Sequence, residues 1–174
     1  MDSFSQFDLL PTLKDTLKEK KLSKPTEIQV RAVPALLAGK SVVGISQTGS
    51  GKTLAYALPV LHKIKSLEND GLKTTETSQP RAAVIVPTRE LGEQVSKVLK
   101  PFTHTTRLRV RTLLGGTTLE VAKKNISGHF EVLVATPGRL LDFLQKGHLS
   151  VSRLQYLVLD EADRMLDMGF EKQI

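Results

Sequence analysis

Short apolar runs alternate along this chain with stretches of helical period. The apolar runs predict β-strands at 41–45, 82–86, 131–135 and 155–160, the first of them buried, and alternating polarity predicts a half-exposed strand at 107–114. Helical spacing predicts helices at 8–20, 53–64, 90–99, 118–125 and 137–146. A further helical pattern follows Pro25 and Thr26, with Ile28, Ala32 and Leu36 on one side, and Pro34 is expected to bend or divide it. This alternation is typical of an α/β fold, a mostly parallel sheet with helices on both faces.

The polar segment 66–80 has no period and predicts a surface loop, either inert or a docking point for a partner protein. The unusual motifs of the sequence each follow a predicted strand instead. Ligands of open parallel sheets bind at the carboxyl ends of the strands. We therefore expect a functional site along that edge.

Composition narrows the classes of function. The 174 residues are 40% hydrophobic and 25% charged, as expected for one soluble globular domain, and we expect a monomer. There is no cysteine, which excludes disulfides and thiolate chemistry. No apolar run approaches the ~20 residues of a membrane span, and the N-terminus lacks signal-peptide features. These observations favour an intracellular protein, cytoplasmic or, in a eukaryote, nuclear.

The net charge of +7 indicates either a polyanionic partner, chiefly nucleic acid, or simply a solubilising surface. The histidines show no metal-ligand spacing, and we expect structural or exposed positions for His62, His104, His129 and His148.

The stretch SQTGSGKT lies between a predicted strand and a predicted helix and resembles a phosphate-binding loop. Its residues are Ser46, Gln47, Thr48, Gly49, Ser50, Gly51, Lys52 and Thr53. Glycines let backbone N–H groups approach an anion at the start of a helix. Lys52 is expected at the β- and γ-phosphates and Thr53 at Mg²⁺. Ser46 replaces the usual first glycine of the motif and precedes the residues that would surround the phosphates. The alternative is an ordinary glycine-rich turn.

Residues 160–163 read DEAD directly after the apolar strand. Asp160 can hold Mg²⁺ through its water shell, and Glu161 can orient and deprotonate an attacking water. General-base help of this kind is typically worth ~10²–10⁴ in rate. The alternative is the first turn of a helix, where carboxylates interact favourably with the helix dipole. The phosphate loop favours the catalytic interpretation.

Six motifs in order resemble the DEAD-box family of RNA helicases, over essentially the whole chain. KPTEIQ (24–29) is similar to the Q motif, SQTGSGKT to the first ATP motif and PTREL (87–91) to motif Ia. GG (115–116) is similar to the glycine pair, TPGRL (136–140) to motif Ib and DEAD to motif II.

The resemblance implies one RecA-like P-loop NTPase domain over 1–174, with a Q-motif region at 1–40 and a core at 41–174. It implies ATP and Mg²⁺ as cofactors, and ATP hydrolysis coupled to local RNA unwinding or to remodelling of RNA–protein complexes. A SAT motif and a second RecA-like domain are expected to follow, so residues 1–174 alone are expected to be inactive in unwinding.

The resemblance also implies roles for single residues. Gln29 is expected to read the adenine edge, with Thr26 supporting the nucleotide site. Phe4 has the spacing of the aromatic residue that stacks on adenine; Phe7 is the nearby competitor, and a packing role for Phe4 is the alternative. Asp163 is expected to couple the nucleotide site to the SAT motif.

Both PTREL and TPGRL follow a strand and open a helix. Thr136 can act as N-cap and Pro137 as the first helical residue, and Arg139 then points where a nucleic-acid phosphate could lie. Helix capping alone is the alternative. With the resemblance, the residues expected to contact RNA are Pro87, Thr88, Arg89, Gly115, Gly116, Thr136, Pro137, Gly138 and Arg139.

Such backbone contacts carry little sequence information, so we expect non-specific binding of single-stranded or locally duplexed RNA. Two rival functions stay open. A DNA translocase would share the phosphate loop without needing Gln29. A non-enzymatic binding module would bind RNA or a partner protein without nucleotide.

Overall fold

The structure, a computed structural model, describes residues 3–74 and 76–174. The chain forms two compact units. The N-terminal unit runs to Leu72 and also includes Pro101–Arg107, and the sheet unit comprises Lys73–Lys100 and Leu108–Ile174. Within the described residues, none of the helices has the length and apolar character needed to cross a membrane.

Three α-helices follow a 3₁₀ turn at Phe4–Gln6 in the N-terminal unit: α1 (Pro11–Glu19), α2 (Glu27–Leu37) and α3 (Lys52–Asn69). Helix α2 packs against α3. Pro34 lies inside α2, and the helix continues past it to Leu37, so the proline does not divide the helix. Helix α3 extends past the predicted end, so residues 66–69 are helical and the predicted loop 66–80 begins late.

The predicted strand 41–45 is wrong for this structure. Residues 41–47 have no secondary structure, and Val43 and Ile45 are 91% and 92% exposed. An apolar run favours a strand, but a strand forms only where another backbone completes its hydrogen bonds. The sheet of the described residues contains no ladder to this segment.

Four parallel strands form the sheet: β1 (Ala82–Ile85), β2 (Val110–Leu113), β3 (Val132–Ala135) and β4 (Tyr156–Leu159). Their order is β2-β3-β1-β4. Strand β2 is shorter than the predicted 107–114, because Arg107 has a positive φ of 57° and belongs to the preceding turn. The parallel sheet that the sequence predicts is confirmed.

Helices pack on both faces of this sheet: α4 (Arg89–Thr106), which ends in the N-terminal unit, α5 (Leu119–Asn125), α6 (Pro137–Gln145) and α7 (Ala162–Asp167). One face packs in a core with α5, α6 and α7 that includes Ile85, Leu133, Ala122, Phe143 and Met165. The opposite face meets α4, where a side chain on Gly92 would collide with Leu114. The expected α/β fold is confirmed. At the edge strand β4, however, Leu157 and Leu159 are 60% and 39% exposed, so one face of that strand is uncovered among the described residues.

The chain leaves each strand at the same edge, because all four are parallel. PTREL follows β1, the glycine pair follows β2, TPGRL follows β3 and DEAD follows β4. The sheet thus brings four motifs that are distant in sequence to one edge.

Candidate nucleotide and nucleic-acid sites

The phosphate loop of the N-terminal unit is a glycine turn that opens α3. Gly49 and Gly51 have φ of 81° and 89°, in the left-handed region that favours glycine. Lys52 is the first residue of α3, and its ammonium donates to Ser46 O at 2.6 Å and to Gln47 O at 3.3 Å. The hydroxyls of Ser46 and Ser50 lie 2.6 Å apart. The loop is therefore closed on itself through backbone carbonyls.

Gln29 lies directly against this loop. Its side chain is almost fully buried, at 3% exposure. Its Oε1 accepts from Thr26 N at 2.9 Å, and its Nε2 donates to Gly51 O at 3.0 Å. A Cβ on Gly51 would collide with the Gln29 amide and lie 3.1 Å from the Thr26 hydroxyl. The structure thus joins the Q motif to the phosphate loop.

Phe4 is buried in the N-terminal unit, at 4% exposure, and packs edge-on against Phe7 with ring centroids 5.8 Å apart. The ring therefore belongs to the core of the unit. Stacking of Phe4 on adenine stays a prediction.

The acidic motif lies at the end of β4. Asp160 is buried at 8% exposure, and its N–H donates to Ile85 O at 2.9 Å. Glu161 has φ 53° and ψ 48° and caps α7, and its carboxylate pairs with Arg164 at 3.4 Å. Asp163 lies in the first turn of α7 and is exposed. A left-handed glutamate stores backbone strain, which is common at functional positions.

A cavity of about 430 Å³ opens beside Glu161 in the sheet unit. It is lined by Thr88, Glu90, Leu91, Glu93, Gln94, Lys97, Glu161 and Arg164. A candidate hydrolytic carboxylate and a candidate RNA-contacting threonine thus share one cavity.

The RNA-contact candidates also converge in the sheet unit. Gly115 N donates to the Thr136 hydroxyl at 3.0 Å, and Arg139 Nη2 donates to Thr117 O at 2.6 Å. Arg89 Nη1 lies 3.2 Å from where a Cβ on Gly116 would be. Three motifs that follow three different strands therefore touch one another.

The remaining RNA-contact candidates lie at the starts of α4 and α6. Pro87 is buried, and the Thr88 hydroxyl accepts from Leu91 N at 3.2 Å, which caps α4. Pro137 begins α6 and Gly138 is exposed. Thr136 occupies the N-cap of α6 as predicted, yet its side chain makes no capping hydrogen bond.

The sequence did not predict the cavity residues Glu93, Gln94 and Lys97, nor the parts taken by Arg164 and Thr117. Arg164 lies three residues after Glu161, a spacing that predicts an ion pair on a helix. Thr117 gave no signal, because it takes part through its backbone carbonyl.

The residues present suit a nucleotide with Mg²⁺. The backbone N–H groups of the glycine turn and of the start of α3, together with the Lys52 ammonium, can donate hydrogen bonds to phosphate oxygens. The described residues contain no cluster of three histidine, aspartate or glutamate side chains. Mg²⁺ does not need one, since it is usually held by one or two carboxylates, waters and substrate phosphates. The phosphate loop and DEAD belong to different units, so their combination in one site stays a prediction.

The histidines are structural or exposed, as predicted. His62 accepts a hydrogen bond from Leu10 N, and His148 packs edge-on against Phe143. His104 and His129 are exposed.

An all-parallel sheet with its motifs at one edge, in a chain where GSGKT opens a helix, defines the class of P-loop α/β proteins. The family model for the DEAD/DEAH box helicase matches residues 26–174. The chain therefore belongs to the DEAD/DEAH box helicase family.

Individual relatives agree. The chain is 42% identical over 173 residues to a probable ATP-dependent RNA helicase, vasa-like, from Penaeus vannamei, covering 99% of this chain and 25% of that protein. It is 39% identical over 174 residues to DEAD-box ATP-dependent RNA helicase 39 of Arabidopsis thaliana, covering 100% of this chain and 28% of that protein. The chain thus spans about a quarter of the length of these curated relatives.

The fold agrees as well. The crystal structure of the RNA helicase Prp28 from Chaetomium thermophilum bound to ADP matches with a TM-score of 0.90 at 34% identity. The match covers 99% of this chain and 41% of that one. The RecA-like fold expected from the sequence is confirmed.

Proposed function

We propose that this chain is the ATP- and RNA-binding N-terminal domain of an ATP-dependent RNA helicase. The observation that carries the proposal is the hydrogen bond from Gln29 to the carbonyl of Gly51 in the phosphate loop. A phosphate loop alone serves many nucleotides, whereas a glutamine amide fixed beside it adds a group that can recognise one base. The names of the relatives support ATP as the nucleotide.

Gln29 retains the groups that adenine recognition needs. Its two contacts use one N–H and one lone pair. A glutamine amide has a second N–H and a second lone pair. These suit the adenine edge, which both donates and accepts. The contacts to Thr26 and Gly51 fix the amide orientation before nucleotide binds.

In this proposal the phosphate-binding loop, residues 46–53, holds the phosphate groups of ATP. Lys52 exchanges the carbonyls of Ser46 and Gln47 for phosphate oxygens, and Gly49, Ser50 and Gly51 provide backbone N–H donors. The hydroxyl of Thr53 and the carboxylate of Asp160 are the oxygen donors assigned to Mg²⁺, the latter through water. Bound ATP supplies the γ-phosphoryl group that is transferred to water. Glu161 orients that water and takes its proton.

The RNA surface is assigned to the motifs at the carboxyl edge of the sheet. Backbone N–H groups and Arg89 contact phosphates without reading sequence. The net charge of +7 favours the same partner. The relatives are longer than this chain, which supports a second RecA-like domain as a partner. In this proposal that domain completes both the nucleotide site and the RNA surface. The whole protein is proposed to be monomeric and intracellular.

The test is calorimetric titration of residues 1–174 with Mg·ADP and, in parallel, Mg·GDP. We expect a clear preference for ADP in the wild type. Gln29→Glu keeps the acceptor for Thr26 N but sets a carboxylate against the carbonyl of Gly51, so the preference should disappear. Glu27→Gln is the matched control, because that side chain is exposed and pairs only with Arg31 among the described ion pairs. Equal binding of both nucleotides by the wild type would contradict adenine reading.

The rival DNA translocase is tested with single strands of the same sequence in RNA and DNA. A protein can distinguish the two through the 2′-hydroxyl. Preference for RNA supports the helicase, and preference for DNA supports the rival. RNA binding without any nucleotide binding would favour the non-enzymatic module.

A further inference from the structure

The helices α1 and α4 end beside each other in the N-terminal unit, which contains α1 and the segment Pro101–Arg107. The hydroxyls of Thr16 and Thr105 lie 2.8 Å apart. Thr16 is one helical turn before the C-cap residue of α1, Lys20, and Thr105 is the last residue but one of α4. The carboxyl-terminal ends of two helices that are distant in sequence therefore meet.

Each of these two helix ends carries a basic residue in the left-handed conformation. Lys21 and Arg107 both have a φ of 57°. Glycine adopts this conformation freely, whereas a Cβ makes it unfavourable. The N–H of Lys21 donates to Lys18 O at 2.9 Å and that of Arg107 to His104 O at 3.3 Å. These two N–H groups are thus used in ending the helices, and only the side chains remain for a ligand.

The cations at these helix ends face solvent. Lys20, Lys21 and Arg107 are exposed, and none of them belongs to an ion pair between described residues. Their neighbour Lys18 lies 3.8 Å from Asp15. The three residues Lys20, Lys21 and Arg107 are here called the helix-end surface.

Stabilisation of the helices alone does not account for this arrangement. Cations near a helix C-terminus interact favourably with the helix dipole, and Lys18 already lies in the last turn of α1. A glycine at position 21 would end the helix without strain. Strained backbone positions are common where a side chain has a function. The charge of Lys21 is therefore the feature that needs an explanation.

The proposed RNA function needs exposed cations of this kind. Binding of a phosphate backbone draws its salt dependence from lysines and arginines that neutralise phosphates. In the strand-end motifs, Arg139 already donates to Thr117 O at 2.6 Å, and Arg89 pairs with Glu93. Cations outside those motifs are therefore required for a strong salt-dependent interaction.

We propose that the helix-end surface is a second contact site for single-stranded RNA. Lys20, Lys21 and Arg107 bind its phosphates as separate point charges and read no sequence. None of the three belongs to the six motifs of the sequence. The inference rests on the proposed RNA binding and adds a surface to it.

The experiment measures binding of a fluorescent single-stranded RNA to residues 1–174 over a series of salt concentrations. Each phosphate neutralised on a single strand contributes about −0.7 to the slope of log affinity against log salt. Lys21→Gly and Arg107→Gly should each reduce the slope by about that amount, a loss of about fivefold in affinity at ~0.1 M salt relative to ~1 M. Lys21→Arg keeps the charge and should bind as the wild type does. Lys146→Gln is the matched control, because it removes an exposed lysine that pairs with Asp142.

Urea unfolding separates the charge of Lys21 from its backbone strain. Lys21→Ala and Lys21→Gly both remove the charge, but only glycine relieves the left-handed strain. The glycine variant should therefore unfold at a higher urea concentration than the alanine variant, while both show the same reduced salt slope. A residue that served only to end the helix would change stability and leave the slope unchanged.

The outcomes distinguish this inference from the function on which it rests. If the wild type binds RNA and both glycine variants keep its slope, this inference alone is overturned. A poly-glutamate peptide that binds the wild type and is lost in the glycine variants, with the RNA slope unchanged, would assign the surface to an acidic protein segment instead and would also overturn it. If the wild type binds no RNA at low salt, the proposed RNA function fails, and this inference with it.

Discussion

At the scale of single residues, Gly49 and Gly51 have the same backbone conformation but different surroundings. A Cβ on Gly49 would meet open space, whereas one on Gly51 would collide with Gln29. A left-handed conformation costs a residue with a Cβ roughly 1–2 kcal/mol. Replacing Gly49 therefore adds backbone strain alone, whereas replacing Gly51 adds the same strain and a steric collision with the Q motif.

We expect Gly49→Ala to lower the free energy of unfolding by about 1–2 kcal/mol and Gly51→Ala by about 2–4 kcal/mol. Gly51→Ala should also abolish Mg·ADP binding, because it displaces Gln29. Urea unfolding and calorimetry measure the two effects. Equal losses in the two variants would mean that Gln29 does not lie against the loop in solution.

Glu161 combines a proposed catalytic role with an unfavourable backbone conformation. Glu161→Gly and Glu161→Ala both remove the carboxylate and the pair with Arg164, but only glycine relieves the strain. After allowing for the entropy of glycine in the unfolded chain, we expect the glycine variant to be more stable than the alanine variant by about 0.5–1 kcal/mol. Urea unfolding measures the difference. A more stable alanine variant would show that the strain is absent.

At the scale of elements, the N-terminus is attached to α3 through a histidine. His62 Nδ1 accepts from Leu10 N at 3.1 Å, just before α1 begins. Burial lowers the pKa of His62; Asp8 opposes this shift and Lys63 adds to it. A protonated imidazole cannot accept this bond, so the contact requires neutral histidine.

The pH dependence has a definite sign. The pKa of His62 is lower in the folded protein than its ordinary value of 6.5, so the unfolded chain binds the proton more readily. The contribution to stability is complete above pH 6.5 and is lost as the pH falls through the folded pKa. Urea unfolding at a series of pH values should show this decline in the wild type and less of it in His62→Gln. Replacing the exposed His104 serves as the control, and an equal decline in His62→Gln would exclude His62 as its cause.

The apolar segments of this protein differ in whether neighbouring strands pair with them. Strands β1 and β3 are buried and paired on both sides, whereas 41–47 is unpaired. Amide hydrogen exchange should therefore be much faster at 41–47 than at 82–85 and 132–135, because only the latter amides are held in ladders. Mass spectrometry of exchanged peptides measures this. Comparable protection at 41–45 would restore the strand that the sequence predicts.

At the scale of the whole molecule, family membership is shown and the activity is a proposal. The family resemblance implies that a second domain supplies arginines to the γ-phosphate of ATP. An arginine finger typically raises the rate of nucleotide hydrolysis ~10³–10⁵-fold. We expect residues 1–174 with Mg·ATP and RNA to show no turnover above that of Glu161→Gln. A phosphate-release assay measures it. Robust RNA-stimulated turnover that Glu161→Gln abolishes would show that this domain suffices.

Much of the fold and of the candidate sites could be predicted before the structure. Residue type and local spacing determined the α/β class, four of the five predicted strands, the helix starts near Thr118 and Thr136, and four of the motifs at the strand ends. These features depend on neighbours within a few positions, through periodicity, capping and the fixed φ of proline.

Tertiary structure alone decided which distant groups meet. Nothing local sends the Thr136 hydroxyl to Gly115 rather than to its own helix, or Gln29 to the carbonyl of Gly51. The segment 41–45 has the composition of a strand but lacks a ladder in the described sheet. The physical reason is common to all three: a hydrogen bond is made with whichever backbone lies alongside, and the sequence order does not show which one that is.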